Sequence, residues 1–149
     1  MFDTVRPEKR YKSARHCIWC CDYHIIWCTK YRKQVLTSAI QKRLKEIVLE
    51  KQQDYNYHVT ALEIMPEHVH LLASIEPKYS VTEIVGKIKG YSSLILRREF
   101  FGLTRIRSLW TSSKFVASTG GVTLEALKEY VEGQKYKEYQ VESQLFFDI

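Results

Sequence analysis

Residues 57–75 read YHVTALEIMPEHVHLLASI. Apolar residues alternate with polar ones before Pro66-Glu67, and an apolar run follows that pair. Alternation of this kind is typical of a half-buried strand, and a proline beside a polar residue is a turn signal. The stretch therefore predicts a β-hairpin that turns at Pro66-Glu67.

The second strand of this hairpin begins with His68-Val69-His70. Strand residues two apart point to the same face, so the two imidazoles lie side by side while Val69 points to the core. A two-residue turn would place Ile64 opposite Val69 and bring Glu63 opposite His70, on the histidine side. Two adjacent imidazoles are most of a metal site, and a divalent cation polarises a phosphate or carbonyl oxygen. The alternative is that both histidines are solvated on an open face.

Length and composition predict one compact domain over residues 1–149. The chain is 45% hydrophobic, which is enough for a real core. No apolar run approaches membrane-spanning length and the N-terminus is polar and basic, so we expect a cytoplasmic protein without a membrane partner. All four cysteines lie within residues 17–28, where pairing is awkward, and free thiols fit a reducing compartment.

The positive charge predicts a polyanionic partner. The formal net charge is +6 and the sequence pI is about 9.1. Basic residues cluster and alternate with aromatic ones, a pattern that suits nucleic acid with exposed bases, because rings stack on bases while cations hold phosphates. The candidate DNA-binding residues are Lys30, Arg32, Lys33, Lys87, Lys89, Arg97 and Arg98.

The order of the elements predicts the fold class. In chain order they are a strand over 17–28, a helix capped by Thr37 or Ser38, the hairpin over 57–75, a helix from Ser80 or Thr82 to about Glu99, and a strand over 109–118. The second helix has an apolar side formed by Val81, Ile84, Val85, Ile88, Leu94 and Ile95. The order β-α-β-β-α-β indicates an α+β, ferredoxin-like antiparallel sheet with both helices on one face and the other face open.

An added helix over about 123–137 follows this core, which spans about 17–119. On that helix Tyr130 and Gln134 are four residues apart, so a phenol and an amide oxygen could approach one ligand together. Tyr136 and Gln140 have the same spacing, and Tyr130 is favoured because it sits well inside the helix. The alternative is that Tyr130 packs against the sheet and Gln134 is solvated.

Five ordered segments give the chain a family resemblance. They are HIIWCTKYR (24–32), MPEHVHLL (65–72), KGYSS (89–93), LW with FVASTG (109–110 and 115–120) and EYVEGQ (129–134). In this order, over about 17–137, the chain resembles the single-tyrosine HUH transposases of the insertion-sequence 200/605 type.

The resemblance implies a function and a set of site residues. His68, His70 and Gln134 would hold Mg²⁺ or Mn²⁺, and Tyr130 would be the nucleophile that forms a 5′-phosphotyrosine. Glu63 is a further candidate ligand that comes from the hairpin register alone. The implied substrate is single-stranded DNA with hairpin ends rather than a small molecule. The implied assembly is a homodimer that combines the histidine pair of one subunit with the tyrosine helix of the other.

Two other functions stay open at this point. Another HUH nuclease, such as a replication initiator or a domesticated relative that cuts hairpins, would share the cleavage step and differ in target. A ferredoxin-like nucleic-acid-binding module without catalysis would use only the basic and aromatic residues.

Overall fold

The computed structural model of the chain describes residues 11–118. Its strands and long helices are β1 (Lys12–Ala14), β2 (Cys17–Trp19), β3 (Asp22–Cys28), α1 (Ser38–Glu50), β4 (His58–Ile64), β5 (His68–Ser74), α2 (Val81–Glu99) and β6 (Phe115–Ser118). Short helical turns occupy Lys30–Arg32, Gln52–Tyr55 and Phe101–Arg105. The predicted tyrosine helix over 123–137 lies outside the described residues.

Strands β3 to β6 form one four-stranded sheet in the order β4-β5-β3-β6. Every neighbouring pair in it is antiparallel. Helix α1 connects β3 to β4, and α2 connects β5 to β6. The predicted α+β, ferredoxin-like β-α-β-β-α-β arrangement is therefore confirmed for this part of the chain.

The hairpin has the register that the sequence predicted. Ile64 is the partner of Val69, and Glu63 is the partner of His70. The Met65 N–H closes the turn by donating to the His68 carbonyl at 2.8 Å. Because a slip of one residue would turn every side chain to the other face, this register fixes both histidines on the side away from Val69.

The first predicted strand, over 17–28, is wrong in its extent. Its first residues form β2, which pairs with β1 in a separate two-stranded sheet, and the strand of the main sheet begins at Asp22. His16 has a φ of 70°. This left-handed conformation reverses the chain between β1 and β2. The continuous apolar composition of 17–28 concealed the break.

The fourth strand is also shorter than predicted. It spans Phe115–Ser118, and of the preceding residues Trp110 makes an isolated bridge to Thr29. The Lys89 ammonium donates to the carbonyls of Thr111 and Ser113 at 2.6 and 3.2 Å. These two bonds hold the segment between Trp110 and the strand that begins at Phe115.

Both long helices begin where the sequence predicted. Thr37 is the N-cap of α1, and Ser80 is the N-cap of α2, where its hydroxyl accepts from the Glu83 N–H at 3.3 Å. Leu94 was predicted to face the core but is 49% exposed, whereas Leu96 is fully buried. Leu96 rather than Leu94 therefore lies on the same buried face of α2 as the earlier apolar residues.

The main core lies between the helices and one face of the sheet. Its most deeply buried members include Ile25, Trp27, Leu44, Val48, Val69, Leu71, Ala73, Val85, Leu96 and Leu109. Within residues 11–118, no helix is both long and apolar enough to cross a membrane.

The opposite face of the sheet is buried too, which corrects the prediction of an open face. Its side chains alternate with the core residues and are Asp22, His24, Ile26, Cys28, His68, His70, Leu72 and Ser74, none more than 6% exposed. Pairs such as Ile25-Ile26 and Leu71-Leu72 give β3 and β5 continuous apolar runs. Runs of this kind are typical of strands buried on both faces.

Candidate active site

Strand β5 brings His68 and His70 together on this second buried face. Their ring centroids are 4.4 Å apart and the ring planes meet at 69°. His68 is 0% exposed and His70 is 1% exposed. The alternative of two solvated histidines on an open face therefore does not hold.

Burial decides the protonation state of His70. Burial, together with smaller contributions from the neighbouring His68 and His24, lowers the pKa of His70 to about 3. The physical cause is that a charged imidazolium loses its hydration when it is buried. At neutral pH the His70 ring is therefore neutral, which is the form that coordinates a metal.

Glu67 contacts the other histidine directly. Its carboxylate oxygen Oε1 lies 2.9 Å from Nδ1 of His68, and the Glu67 side chain is itself buried. Donation from Nδ1 to a carboxylate fixes the tautomer of a histidine and presents Nε2 to a metal. Glu67 was predicted only as part of a turn; a carboxylate directly preceding a histidine is the signal that could have identified it.

A third histidine lies beside this pair and was not among the predicted site residues. His24 on β3 stacks on His70 with ring centroids 5.8 Å apart and planes inclined by 27°. Burial lowers the pKa of His24 as well. Alternation along β3 could have placed His24 on this face, because the register pairs Ile26 with His70.

The turn that carries Glu67 is held by the segment that follows β3. The Thr29 N–H donates to the Glu67 carbonyl at 2.9 Å, and the Thr29 hydroxyl lies 3.2 Å from the same oxygen. The Leu36 N–H donates to the Pro66 carbonyl at 3.0 Å. These bonds fix the turn, and with it the Glu67 carboxylate beside His68.

Of the other predicted metal ligands, Glu63 is the one that lies among the described residues. The backbone of Glu63 lies opposite His70, as predicted. Among residues 11–118, however, no three His, Cys, Asp or Glu side chains are grouped so that they could hold a metal ion. Glu63 as a ligand stays a prediction. Gln134 and Tyr130 lie outside the described residues, so their roles stay predictions as well.

The donor set that is present fits a metal in part. Two buried imidazoles on one face supply two nitrogen ligands, and a carboxylate orients one of them. A complete site needs further ligands, which an amide oxygen and phosphate oxygens could supply.

The predicted DNA-binding cations differ in exposure and in their contacts with the protein. Lys33, Lys87 and Arg98 are exposed, and Lys30 and Arg32 are half-buried at the turn after β3. Lys89 and Arg97 are already engaged with the protein. The Lys89 ammonium holds the Thr111 and Ser113 carbonyls, and the Arg97 guanidinium donates to the carbonyls of Ile106 and Arg107.

Burial lowers the pKa of Lys89, with a smaller contribution from Lys114. This lysine braces the loop before β6. Its contact with DNA, like that of the other six cations, stays a prediction.

Comparison with known proteins identifies the family. The model of the family described as "Transposase IS200 like" matches residues 17–134. The chain is 32% identical over 133 residues to the ISDra2 transposase TnpA of Deinococcus radiodurans, which covers 85% of this chain and 93% of that protein. It is also 32% identical over 126 residues to the transposase for insertion sequence element IS200 of Salmonella typhimurium, and the alignment covers 83% of this chain and 82% of that protein.

Solved structures agree with this assignment. The crystal structure of a transposase candidate from Deinococcus radiodurans R1 superposes with a TM-score of 0.69 at 32% identity, covering 83% of this chain and 97% of that one. A REP-associated tyrosine transposase bound to a REP hairpin superposes with a TM-score of 0.53 at 15% identity, covering 80% and 67%, and so shares the fold. The chain belongs to the IS200-like family of DNA transposases.

Proposed function

We propose that the protein cleaves and rejoins single-stranded DNA at the ends of an insertion sequence, with Tyr130 as the nucleophile and His68, His70 and Gln134 as ligands of Mg²⁺ or Mn²⁺. The observation that carries the proposal is the buried histidine pair, with His70 neutral and His68 bound to a buried carboxylate. A buried pair of polar rings that only filled space would be better replaced by apolar side chains.

The paired carboxylate supports His68 as a ligand. With Nδ1 committed to Glu67, the Nε2 atom of His68 is left as its ligand atom. The neutral ring of His70 needs no deprotonation before it binds a cation, because its pKa lies well below neutrality. Both rings can therefore coordinate a metal through a ring nitrogen.

Ligand chemistry favours the harder metals. Imidazoles would also accept zinc, iron or nickel, whereas the amide oxygen of Gln134 and the phosphate oxygens of DNA favour Mg²⁺ or Mn²⁺. When bound, the cation supplies charge neutralisation at the oxygens of the scissile phosphate.

Tyr130 would carry the covalent step. Its phenolic oxygen forms a bond to the scissile phosphorus as the bond from phosphorus to the 3′ oxygen breaks, so the phenol loses a proton and the leaving 3′ oxygen gains one. The resulting 5′-phosphotyrosine keeps the energy of the phosphodiester. A second DNA 3′-hydroxyl can then attack it, release Tyr130 and join a new strand.

The partner would be single-stranded DNA with hairpin ends, and the working unit a homodimer. The net charge of +6 and the exposed cations Lys33, Lys87 and Arg98 support a DNA partner. A structural neighbour was solved bound to a REP hairpin. Cleavage of such a hairpin without strand transfer, as in a domesticated relative, is the second candidate, and only the joining step separates the two.

The experiment is a cleavage assay on single-stranded oligonucleotides that contain short hairpins and come from the ends of the protein's own element, with Mn²⁺ or with EDTA. We expect a covalent protein–DNA adduct on a denaturing gel with Mn²⁺ alone, followed by joined products. Tyr130→Phe should remove the adduct, whereas Tyr136→Phe, which has the same spacing to a glutamine, should keep it. Binding without any adduct in the wild-type protein would contradict the proposal and favour the non-catalytic module.

A further inference from the structure

The turn after β3 presents an aromatic ring to solvent close to the histidine pair. Tyr31 is 79% exposed, although it lies only two positions after the buried Thr29, which follows a buried strand. Lys30 and Arg32 flank it, and the Lys30 ammonium lies 5.3 Å from the centroid of the Tyr31 ring. The ring is therefore accessible and surrounded by positive charge.

The backbone of this turn is strained. Tyr31 has φ 58° and ψ 18°, and Arg32 has φ 52°. Two successive residues with side chains in the left-handed region are uncommon, and such conformations persist where the surrounding structure enforces them. Glycine or asparagine would relax this turn, so a large exposed ring here gains nothing for stability. Strain of this kind points to a functional role.

The turn is also tied to the candidate active site. The Thr29 hydroxyl donates to the Lys33 carbonyl at 2.7 Å, which closes the turn around Tyr31. The Thr29 N–H bonds to the Glu67 carbonyl, and the Glu67 side chain holds His68. Tyr31 is two positions after Thr29, which limits their Cα distance to at most about 7.6 Å. The ring and the histidine pair thus belong to one hydrogen-bonded unit.

We propose that Tyr31 is a stacking platform for a nucleobase of single-stranded DNA beside the scissile phosphate, which would lie at the proposed metal site of His68 and His70. The basic residues Lys30, Arg32 and Lys33 would hold the neighbouring phosphates. The inference rests on the proposed function, because it places the bound strand at the histidine pair. A tyrosine ring stacks on any base, so this site positions the strand without reading its sequence.

The test measures binding of a fluorescein-labelled oligothymidylate by the full-length protein in EDTA, where no cleavage occurs. Tyr31→Ala should weaken binding roughly five-fold to hundred-fold, the loss expected for one stacked base. Tyr31→Asn, whose side chain suits the left-handed backbone, should weaken it equally, and Tyr31→Trp should restore it. The matched control is Tyr11→Ala, which should bind like the wild type.

Tyr11 is a fair control because it is an exposed tyrosine beside a lysine at the other end of the sheet. It is 54% exposed and precedes Lys12. Lys12 lines a cavity with Ser74 and His58, which pair at the end of β5 away from His68. Six strand residues separate Ser74 from His68, which is about 20 Å.

Salt dependence separates stacking from charge. Tyr31→Ala should leave the slope of log Kd against log salt concentration unchanged, whereas Lys33→Ala should reduce it by about one. Wild-type affinity in both Tyr31→Ala and Tyr31→Asn, or a slope that falls with loss of the ring, would overturn the inference while leaving the proposed function standing. Failure of the wild-type protein to bind the oligonucleotide would overturn both.

Discussion

Removal of the Glu67 carboxylate tests whether the histidine pair binds a metal. Glu67 lies 2.9 Å from Nδ1 of His68, and both side chains are buried. A hydrogen bond to a charged group contributes about 1.5–3 kcal/mol, which is roughly a ten-fold to hundred-fold change in an equilibrium constant. Loss of a partner that orients a metal-binding histidine has a similar measured range. We therefore predict that Glu67→Ala weakens Mn²⁺ binding roughly ten-fold to hundred-fold.

The substitution Glu67→Gln should have a smaller effect. The amide oxygen of glutamine can still accept from Nδ1 of His68, and a neutral hydrogen bond contributes only about 0.5–1.5 kcal/mol. We expect the loss of affinity to stay below about ten-fold. A graded series from wild type through Glu67→Gln to Glu67→Ala would trace the effect to the hydrogen bond rather than to the volume of the side chain.

Isothermal titration calorimetry of the full-length protein with Mn²⁺ provides the measurement. Glu63→Ala is the comparison variant, because Glu63 is the other candidate carboxylate and lies opposite His70 in the hairpin, whereas Glu67 makes the bond to His68. If folded wild type and folded Glu67→Ala bind Mn²⁺ with equal affinity, Glu67 does not orient a metal-binding His68. A larger loss in Glu63→Ala than in Glu67→Ala would instead make Glu63 the ligand.

Three further predictions follow from burial and charge. Leu71→Ala should lower the free energy of unfolding by about 2–5 kcal/mol in urea denaturation, because Leu71 is fully buried in the main core. The pKa of His70 is lowered to about 3 in the folded state, so as the pH falls the unfolded chain takes up a proton at this residue before the folded protein does. The stability that His70 contributes is therefore complete above pH 6.5 and is lost as the pH falls toward 3. The free energy of unfolding, measured by urea titration across that pH range, should depend less on pH in His70→Asn than in the wild type. Equal pH dependence in the two proteins would contradict the lowered pKa of His70. Lys87→Ala should weaken DNA binding more at low than at high salt, whereas the same loss at every salt concentration would exclude a phosphate contact by Lys87.

The sequence predicted the hairpin, its register and both helix starts because each rests on local chemistry. Alternation and the Pro66-Glu67 turn fix Ile64 opposite Val69, and Ser80 caps α2 with its own hydroxyl. The split of residues 17–28 into β2 and β3 was missed because composition does not reveal where a strand leaves one sheet for another. Tertiary contacts decide that boundary.

The site was predicted in part for a similar reason. Residues two apart on one strand share a face, so His68 and His70 could be paired from the sequence. The contributions of His24 and Thr29 come from β3 and the residue after it, more than 35 residues away along the chain, and the pairing of β3 with β5 brings them close. The burial of the histidine face was missed because the ferredoxin-like pattern alone leaves that face open.

The most direct test of the central claim is to map the DNA attachment site. The full-length protein is incubated with Mn²⁺ and a hairpin oligonucleotide from its own element end, digested with trypsin and nuclease, and sequenced by mass spectrometry. We predict one nucleotide-bearing peptide, modified at Tyr130 and lost in His68→Ala. Attachment to another residue such as Tyr136, or a modified Tyr130 that persists in His68→Ala, would contradict a metal-dependent attack by Tyr130 on the DNA.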